Sequence, residues 1–269
     1  MQIMFRAMEI LEQFRLDGKV AVVTGASRGL GRVFAEGIAG AGADVVITGR
    51  DMATLKPVAE EIAGQTGRRI HPVCMDVGNL DDIRRTVAEV REVCGRLDIL
   101  VNNAGVNHRE TALDFREEDW DRVVDVNLKG TFFMCQTCGR AMKEQGGGKI
   151  VTILSLTSGI GLPTVVPYTA AKGGMMQITK MLAVEWAEHN IQVNGIAPGF
   201  FRTELTKAVQ EDERNNWILN RTPMERWGEP EELLGAMLLF CSPASDFITG
   251  QMIYVDGGFM AGSDWRKGK

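Results

Sequence analysis

Val20-Ala-Val-Val-Thr-Gly-Ala-Ser-Arg-Gly-Leu-Gly31 is four apolar residues in succession, a glycine-rich turn, and then the start of a segment of helical period. A strand that is apolar on successive rather than alternate residues is buried on both faces, as in a parallel sheet covered by helices. The turn's glycines, Gly25, Gly29 and Gly31, let the backbone bend tightly and come close to a ligand. Free amides at the helix start beyond them face an anion such as a diphosphate. The spacing Gly-x-x-x-Gly-x-Gly matches the generic dinucleotide fingerprint Gly-x-Gly-x-x-Gly only in outline, so a glycine-rich turn without a ligand stays open on these residues alone.

Outward from this stretch the same rhythm repeats. Runs rich in Val and Ile at 19–24, 44–48, 70–75, 98–101, 149–154, 191–197 and 251–255 read as strands, separated by six or so longer segments of helical period. Strand and helix in alternation predict an α/β fold, a single doubly wound parallel seven-stranded sheet of Rossmann type with helices on both faces. No linker or composition shift interrupts it, so residues 16–269 read as one domain preceded by an extension over 1–15. Within that extension Ile3, Met4, Met8, Leu11 and Phe14 fall at helical spacing and predict a short amphipathic helix over 3–16. The rhythm loosens between Pro198 and Glu232, where Phe200, Phe201, Arg202, Trp217, Arg221, Pro223 and Trp227 sit among many charges. A helical lid at about 200–228 is expected there, placed to cover the crevice beyond the strand ends, with a plain surface excursion as the alternative.

Composition narrows the partners. With 269 residues, 45% hydrophobic and 24% charged, the chain is an ordinary globular one, neither disordered nor fibrous. A net charge of −5 supplies no positive field for a phosphate backbone, which disfavours nucleic acid. No apolar run approaches the roughly 20 residues that span a bilayer, and the first residues lack the apolar stretch of a signal peptide, so the cytoplasm is expected and no membrane partner. The cysteines Cys74, Cys94, Cys135, Cys138 and Cys241 are odd in number, which fits a reducing compartment. Cys135 and Cys138 have the spacing of a metal or redox pair, but no neighbouring ligand completes a set. Structural thiols and no metal are the expectation.

Tyr168-Thr-Ala-Ala-Lys172 puts a phenol and an ammonium on one face of a helix, one turn apart. Hydride transfer at a carbon must be matched by proton transfer at its oxygen, and a phenol of ordinary pKa is a poor base at neutral pH. An adjacent ammonium is expected to lower it. Ser155 lies just past the strand at 149–154, at the end where ligands bind in such sheets, and its hydroxyl can hold the substrate oxygen. Asn127 on its own reads as a helix-bending structural residue.

The sequence resembles the short-chain dehydrogenase/reductase family. The likeness rests on Thr24-Gly-Ala-Ser-Arg-Gly-Leu-Gly31, Asn102-Asn-Ala-Gly105, Asn127, Ser155, Tyr168 with Lys172, and Pro198-Gly199, in family order over about residues 15–260. It implies strand order 3-2-1-4-5-6-7, a nicotinamide dinucleotide and a homo-oligomer, tetramer or dimer. It assigns Ser155 to orienting the carbonyl, Tyr168 to the acid/base step, Lys172 to the ribose and to tuning the phenol, and Asn127 to a water of the proton relay. Cofactor contacts are expected from Gly25, Ser27, Arg28, Gly29, Leu30 and Gly31, from Asp76 and Val77 at the adenine, and from Asn103, Ala104 and Gly105. Further contacts are expected from Pro198, Gly199 and Thr203 on the nicotinamide side.

The end of the second strand decides between the two dinucleotides, since an acid there binds a ribose 2′-hydroxyl and a base a 2′-phosphate. Gly49 takes the acidic position, Arg50 follows it, and Arg28 stands in the glycine loop, which points to NADP; Asp51 argues for NAD. His108, Arg109 and Arg202, and less strongly Arg221, are cations near the expected pocket and suit an acidic small-molecule substrate. The lid and the basic residues after Asn-Asn-Ala-Gly resemble gluconate 5-dehydrogenase-type members, implying interconversion of a secondary alcohol and a ketone on a sugar acid or polyol. The alternatives are a 3-oxoacyl-[acyl-carrier-protein] reductase and a catalytically silent dinucleotide-binding regulator.

Overall fold

The computed structural model describes residues 10–262 and 264. Seven strands, β1 (Val20–Val23), β2 (Asp44–Gly49), β3 (Ile70–Cys74), β4 (Ile99–Asn102), β5 (Gly148–Ile153), β6 (Ile191–Pro198) and β7 (Met252–Val255), form one sheet in the order β3-β2-β1-β4-β5-β6-β7. Each observed strand lies within a residue or so of its expected position, and every pairing is parallel. The apolar succession in β1 has the cause inferred for it. Ala21 and Val23 enter the core on one face of the sheet while Val20 and Val22 enter the core on the other. An apolar layer therefore covers each face of β1, and its residues are buried whichever way they point.

Helices α1 (Gly29–Gly40), α2 (Met52–Thr66) and α9 (Leu234–Cys241) supply Phe34, Ile38, Leu55, Ile62, Met237 and Phe240 to one core. On the other face lie α3 (Leu80–Cys94), α5 (Thr131–Gln145) and α6 (Val166–Trp186), with Ile83, Val87, Val90, Met134, Met142 and Met175. A short helix, α4 (Glu117–Val124), runs through a π-helical turn, Asp125–Gly130, into α5. Order reverses between β1 and β4, and at such a switch point the turns beyond adjacent strands diverge to leave a crevice. The turns after β1, β4, β5 and β6 all open on that side.

After β6 the chain makes the expected helical excursion. It contains a 3₁₀ turn, Glu204–Thr206, and two short helices, α7 (Lys207–Gln210) and α8 (Arg214–Arg221), and it closes where Phe201 bridges Gly228. Trp227 anchors it, buried to 2% and donating its indole N–H to Asn215 at 2.8 Å. The expected amphipathic helix over 3–16 is not what the described part forms: Ile10–Phe14 is a 3₁₀ helix with Ile10 and Leu11 exposed, and Ile3, Met4 and Met8 lie outside the described residues. Cys135 and Cys138 sit in the core on α5 as free thiols, and burial pushes Cys135 up to about 12. Among the described residues no helix is long and apolar enough to cross a membrane.

Candidate active site

The glycine turn and the turn after β4 are built as one unit. Thr24 Oγ1 accepts from the backbone N–H of Asn103 and of Ala104, both at 3.0 Å, while Asn103 Nδ2 donates to the carbonyls of Thr24 at 2.9 Å and Gly25 at 3.2 Å. Space is tight: a Cβ on Gly31 would lie 2.3 Å from the Gly25 carbonyl oxygen and 2.4 Å from Asn103 Nδ2. Gly29 is different. Its φ is +58°, nothing lies within 4 Å of where a Cβ would be, and Arg28 gives α1 no side-chain cap. The first amides of a 12-residue helix therefore open on free space beside half-buried Ser27 and Leu30. Uncapped donors at the positive end of a helix, with a glycine where a wall would otherwise stand, fit a diphosphate.

At the end of β2 the competing readings of Asp51 and Arg50 separate. Asp51 is the N-cap of α2, its carboxylate accepting from the Ala53 N–H at 2.8 Å. Arg50 and Arg28 are exposed, and among the described residues neither guanidinium enters an ion pair. Asp76 turns its carboxylate onto the Gly78 N–H at 2.8 Å, next to buried Val77. Beyond β6, the Gly199 N–H donates to Val255 at 2.8 Å, a Cβ on Gly199 would fall 2.7 Å from the Asp256 Cα, and Thr203 opens the 3₁₀ turn of the excursion. Pro198 ends β6 opposite Val255.

Ser155, Tyr168 and Lys172 converge. Ser155 follows β5 in extended conformation, its Oγ accepting from the Thr157 N–H at 3.2 Å and acting to lower the pKa of the Tyr168 phenol. Tyr168 is in the first turn of α6, a start that Pro167 favours because its missing N–H would have been an orphan there. One turn on, Lys172 is buried and donates to the Ile153 carbonyl at 2.6 Å, with its Nζ 5.5 Å from the centre of the tyrosine ring. Ser158 ties the same elements by donating to the Lys172 carbonyl at 3.1 Å. Asn127 lies in the π-helical turn. Its Nδ2 donates to Val106 at 2.6 Å and Val123 at 2.9 Å, and its Oδ1 accepts from the Val106 N–H at 3.1 Å. It thus fixes the chain just past Gly105, whose own Cβ would stand 2.6 Å from Asn127 Oδ1.

Burial governs the titrating groups. It pushes the Tyr168 phenol above its ordinary value, opposed by the Ser155 hydrogen bond and by Arg109, and it lowers Lys172 to about 8. The expectation that Lys172 lowers the phenol is thus corrected for the protein groups alone. Its ammonium is engaged at the Ile153 carbonyl, and burial of the phenol outweighs the groups that act to lower it. Arg109 also bonds Thr164 Oγ1 at 3.4 Å, and the next residue's N–H, Glu110, donates to the Thr164 carbonyl at 3.0 Å. Thr164 has φ 69°, a costly conformation for a β-branched residue that persists only where the surroundings impose it.

Two expected substrate contacts have partners within the protein. His108 is held by α4: its Nε2 is 3.6 Å from Asp119, its Nδ1 is 3.4 Å from Arg122, and its ring meets Phe115 edge-on. Arg202 pairs with Glu229 at 3.0 Å and donates to Gln210 at 3.0 Å, within the excursion. Arg221 stacks over Phe259, which also meets Phe200 and Trp217. Each of the three meets an acid or a ring of the protein itself. Thr24, Thr164 and Phe259 went unrecognised by sequence reading. Thr24 stood inside the quoted turn, whereas nothing in the sequence marks Thr164 or Phe259.

A family model described as enoyl-(acyl carrier protein) reductase matches residues 25–260. The gluconate 5-dehydrogenase of Gluconobacter oxydans is 41% identical over 91% of this chain and 96% of its own length. The 2-dehydro-3-deoxy-D-gluconate 5-dehydrogenase of Escherichia coli is 44% identical over 94% and 99%. Among solved structures, a gluconate 5-dehydrogenase from Burkholderia cenocepacia in complex with NADP and tartrate superposes with a TM-score of 0.91, at 40% identity over 94% of this chain and 99% of that one.

Proposed function

The chain belongs to the short-chain dehydrogenase/reductase family, and from that premise we propose that it is an NADP(H)-dependent oxidoreductase interconverting a secondary alcohol and a ketone on a sugar acid of the gluconate type. One observation carries this reading: Ser155 just past β5, the phenol of Tyr168 and the buried ammonium of Lys172 come together in a fold whose first turn has the shape of a diphosphate cradle.

Gly25, Ser27, Arg28, Gly29, Leu30 and Gly31 would hold the diphosphate, with Arg28 and Arg50 as the cations for a 2′-phosphate. Asp76 and Val77 would border the adenine. Asn103, Ala104 and Gly105 would line the middle, and Pro198, Gly199 and Thr203 the nicotinamide side. When bound, the dinucleotide supplies or accepts the hydride at the carbinol carbon. The protein's share lies at oxygen. Ser155 Oγ fixes the substrate oxygen, and the Tyr168 hydroxyl gives up or takes the proton there. Lys172, held by Ile153, offers its remaining N–H donors to the ribose and to the proton path. Asn127, in the same reading, keeps the chain after Gly105 in place and contributes to the water relay. Arg109 receives the carboxylate, a charge-assisted contact worth about 1.5–3 kcal/mol where water is excluded.

The excursion at 200–228 acts as a lid over this crevice. Free thiols throughout the described residues and the lack of a spanning helix there suit a cytoplasmic enzyme, and a homo-oligomer of two or four chains is the assembly. The test follows reduced-cofactor absorbance at neutral pH with gluconate, neutral polyols and an acetoacetyl thioester, each with NADP and with NAD. Turnover of gluconate with NADP supports the proposal. Preference for the thioester refutes it in favour of an acyl reductase, and tight NADP binding with no turnover of any substrate refutes it in favour of a regulator.

A further inference from the structure

The loop after β4 is held at two points. Asn127 fixes its start, bonding both the N–H and the carbonyl of Val106. Four residues on, Thr164 fixes its far end: the Thr164 carbonyl accepts from the Glu110 N–H at 3.0 Å, and its Oγ1 accepts from Arg109 Nη1 at 3.4 Å. Thr164 stands at the entrance to α6. The next residue, Val165, is buried as the N-cap of that helix and accepts from the Thr169 N–H at 2.9 Å, so Thr164 adjoins the turn that carries Tyr168. The clasp thus joins the loop of Arg109 to the helix start of Tyr168, across residues 55 apart in the chain. Thr164 makes it at φ 69°, in the left-handed region that glycine enters freely and a β-branched residue enters at a cost. Glycine there would keep the carbonyl half of the clasp; what the hydroxyl adds is its bond to Arg109. Arg109 also differs from the cations around it. His108 and Arg122 meet Asp119, and Arg202 meets Glu229, whereas among the described residues Arg109 enters no ion pair. With Nη1 engaged at Thr164, the Nε–Nη2 edge of its guanidinium is the one suited to a carboxylate.

We propose that Thr164 is a positioning residue for acid recognition: held in a strained backbone conformation at the start of α6, its hydroxyl prearranges the Arg109 guanidinium to receive the substrate's carboxylate. This rests on the sugar-acid reading above and adds to it the residue that orders the arginine before the acid arrives. An arginine side chain has many rotamers and loses that freedom when a ligand fixes it. A bond to Thr164 removes part of the freedom beforehand, so less is lost on binding. Once an acid is bound, the acid itself orders the guanidinium. Thr164 therefore acts on affinity and not on the chemical step at saturation.

A double-mutant cycle on Thr164 and Arg109, read as KM for gluconate with NADP, tests the idea. Thr164→Val keeps the shape of the side chain and the carbonyl bond to Glu110 and removes only Oγ1. KM is expected to rise about three- to fivefold, while kcat and the Kd for NADP stay within about twofold. Thr164→Ser restores a hydroxyl and behaves as the wild type. Arg109→Gln raises KM about 10- to 100-fold, and adding Thr164→Val to it raises KM no further. Thr164→Gly raises KM as valine does although its Tm equals or exceeds that of the wild type, because glycine relieves the backbone. An unchanged KM in Thr164→Val or in Arg109→Gln overturns the proposal, and so do fold-losses that multiply in the double variant. A wild-type KM in Thr164→Gly overturns it too, since the residue would then serve the backbone alone. NADP affinity and the far-ultraviolet dichroism of each variant show whether it has folded. Failure of the underlying reading is visible separately and first: wild-type protein would turn over no acid, and the proposal would fall with it.

Discussion

Replacing Lys172 with methionine is expected to stabilise the cofactor-free protein at neutral pH while abolishing turnover. Lys172 is buried to 6% exposure, and burial lowers its ammonium from 10.5 to about 8. At about 1.4 kcal/mol per pH unit, holding that charge costs the folded protein roughly 3 kcal/mol at pH 7. The sign follows from proton counts. Between about 8 and 10.5 the unfolded chain binds more protons at this residue than the folded one, so wild-type stability gains with rising pH in that window, and the penalty is complete only below it. Methionine has a similar unbranched stem and nothing to titrate. Losing the bond to the Ile153 carbonyl costs the variant about 1 kcal/mol, but this offset does not vary with pH. Urea denaturation of both proteins should therefore show the variant's advantage shrinking by about 2 kcal/mol between roughly pH 7 and 9.5. A difference that stays constant across that range would refute the claim that the site holds a destabilising charge. A site that trades stability for a poised group is the usual cost of function.

Arg50→Ala is expected to raise the Kd for NADP about 10- to 100-fold and leave that for NAD nearly unchanged, since one charge-assisted phosphate contact of about 1.5–3 kcal/mol is removed. Titration calorimetry reads both, and equal losses would show that Arg50 meets no 2′-phosphate. Asn127→Ala removes three hydrogen bonds and leaves the Val106 N–H and C=O without their side-chain partner. A loss of about 2–3 kcal/mol is expected, read as a Tm lower by about 4–12 °C together with a drop in kcat. An unchanged melt would mean that the turn after Gly105 does not depend on it.

The fold was legible because burial on both faces is written directly into strand sequence. Val20 to Val23 are apolar without alternation, and each finds a core. The convergence of Ser155, Tyr168 and Lys172 was legible because helical period puts the last two on one face and a strand end supplies the first. Cation partners were not legible. His108, Arg202 and Arg109 look alike in sequence, and only the packing of α4 and of the excursion brings Asp119 to His108 and Glu229 to Arg202. The phenol's direction was missed for a related reason: spacing shows that a lysine is near, but not that it donates to a backbone carbonyl or that desolvation outweighs it. Asp51 was ambiguous until its N-cap geometry could be seen, because a carboxylate two residues past a strand end suits a ribose and a helix start equally well.

In the proposed mechanism, proton transfer at the substrate oxygen runs through one phenolic hydroxyl. Tyr168→Phe keeps the ring against Lys172 and removes that oxygen alone. Measured with gluconate and NADP under saturating conditions, kcat is predicted to fall by about 10²- to 10⁴-fold while the Kd for NADP changes by less than about twofold. Turnover near the wild-type rate in that variant would contradict the account.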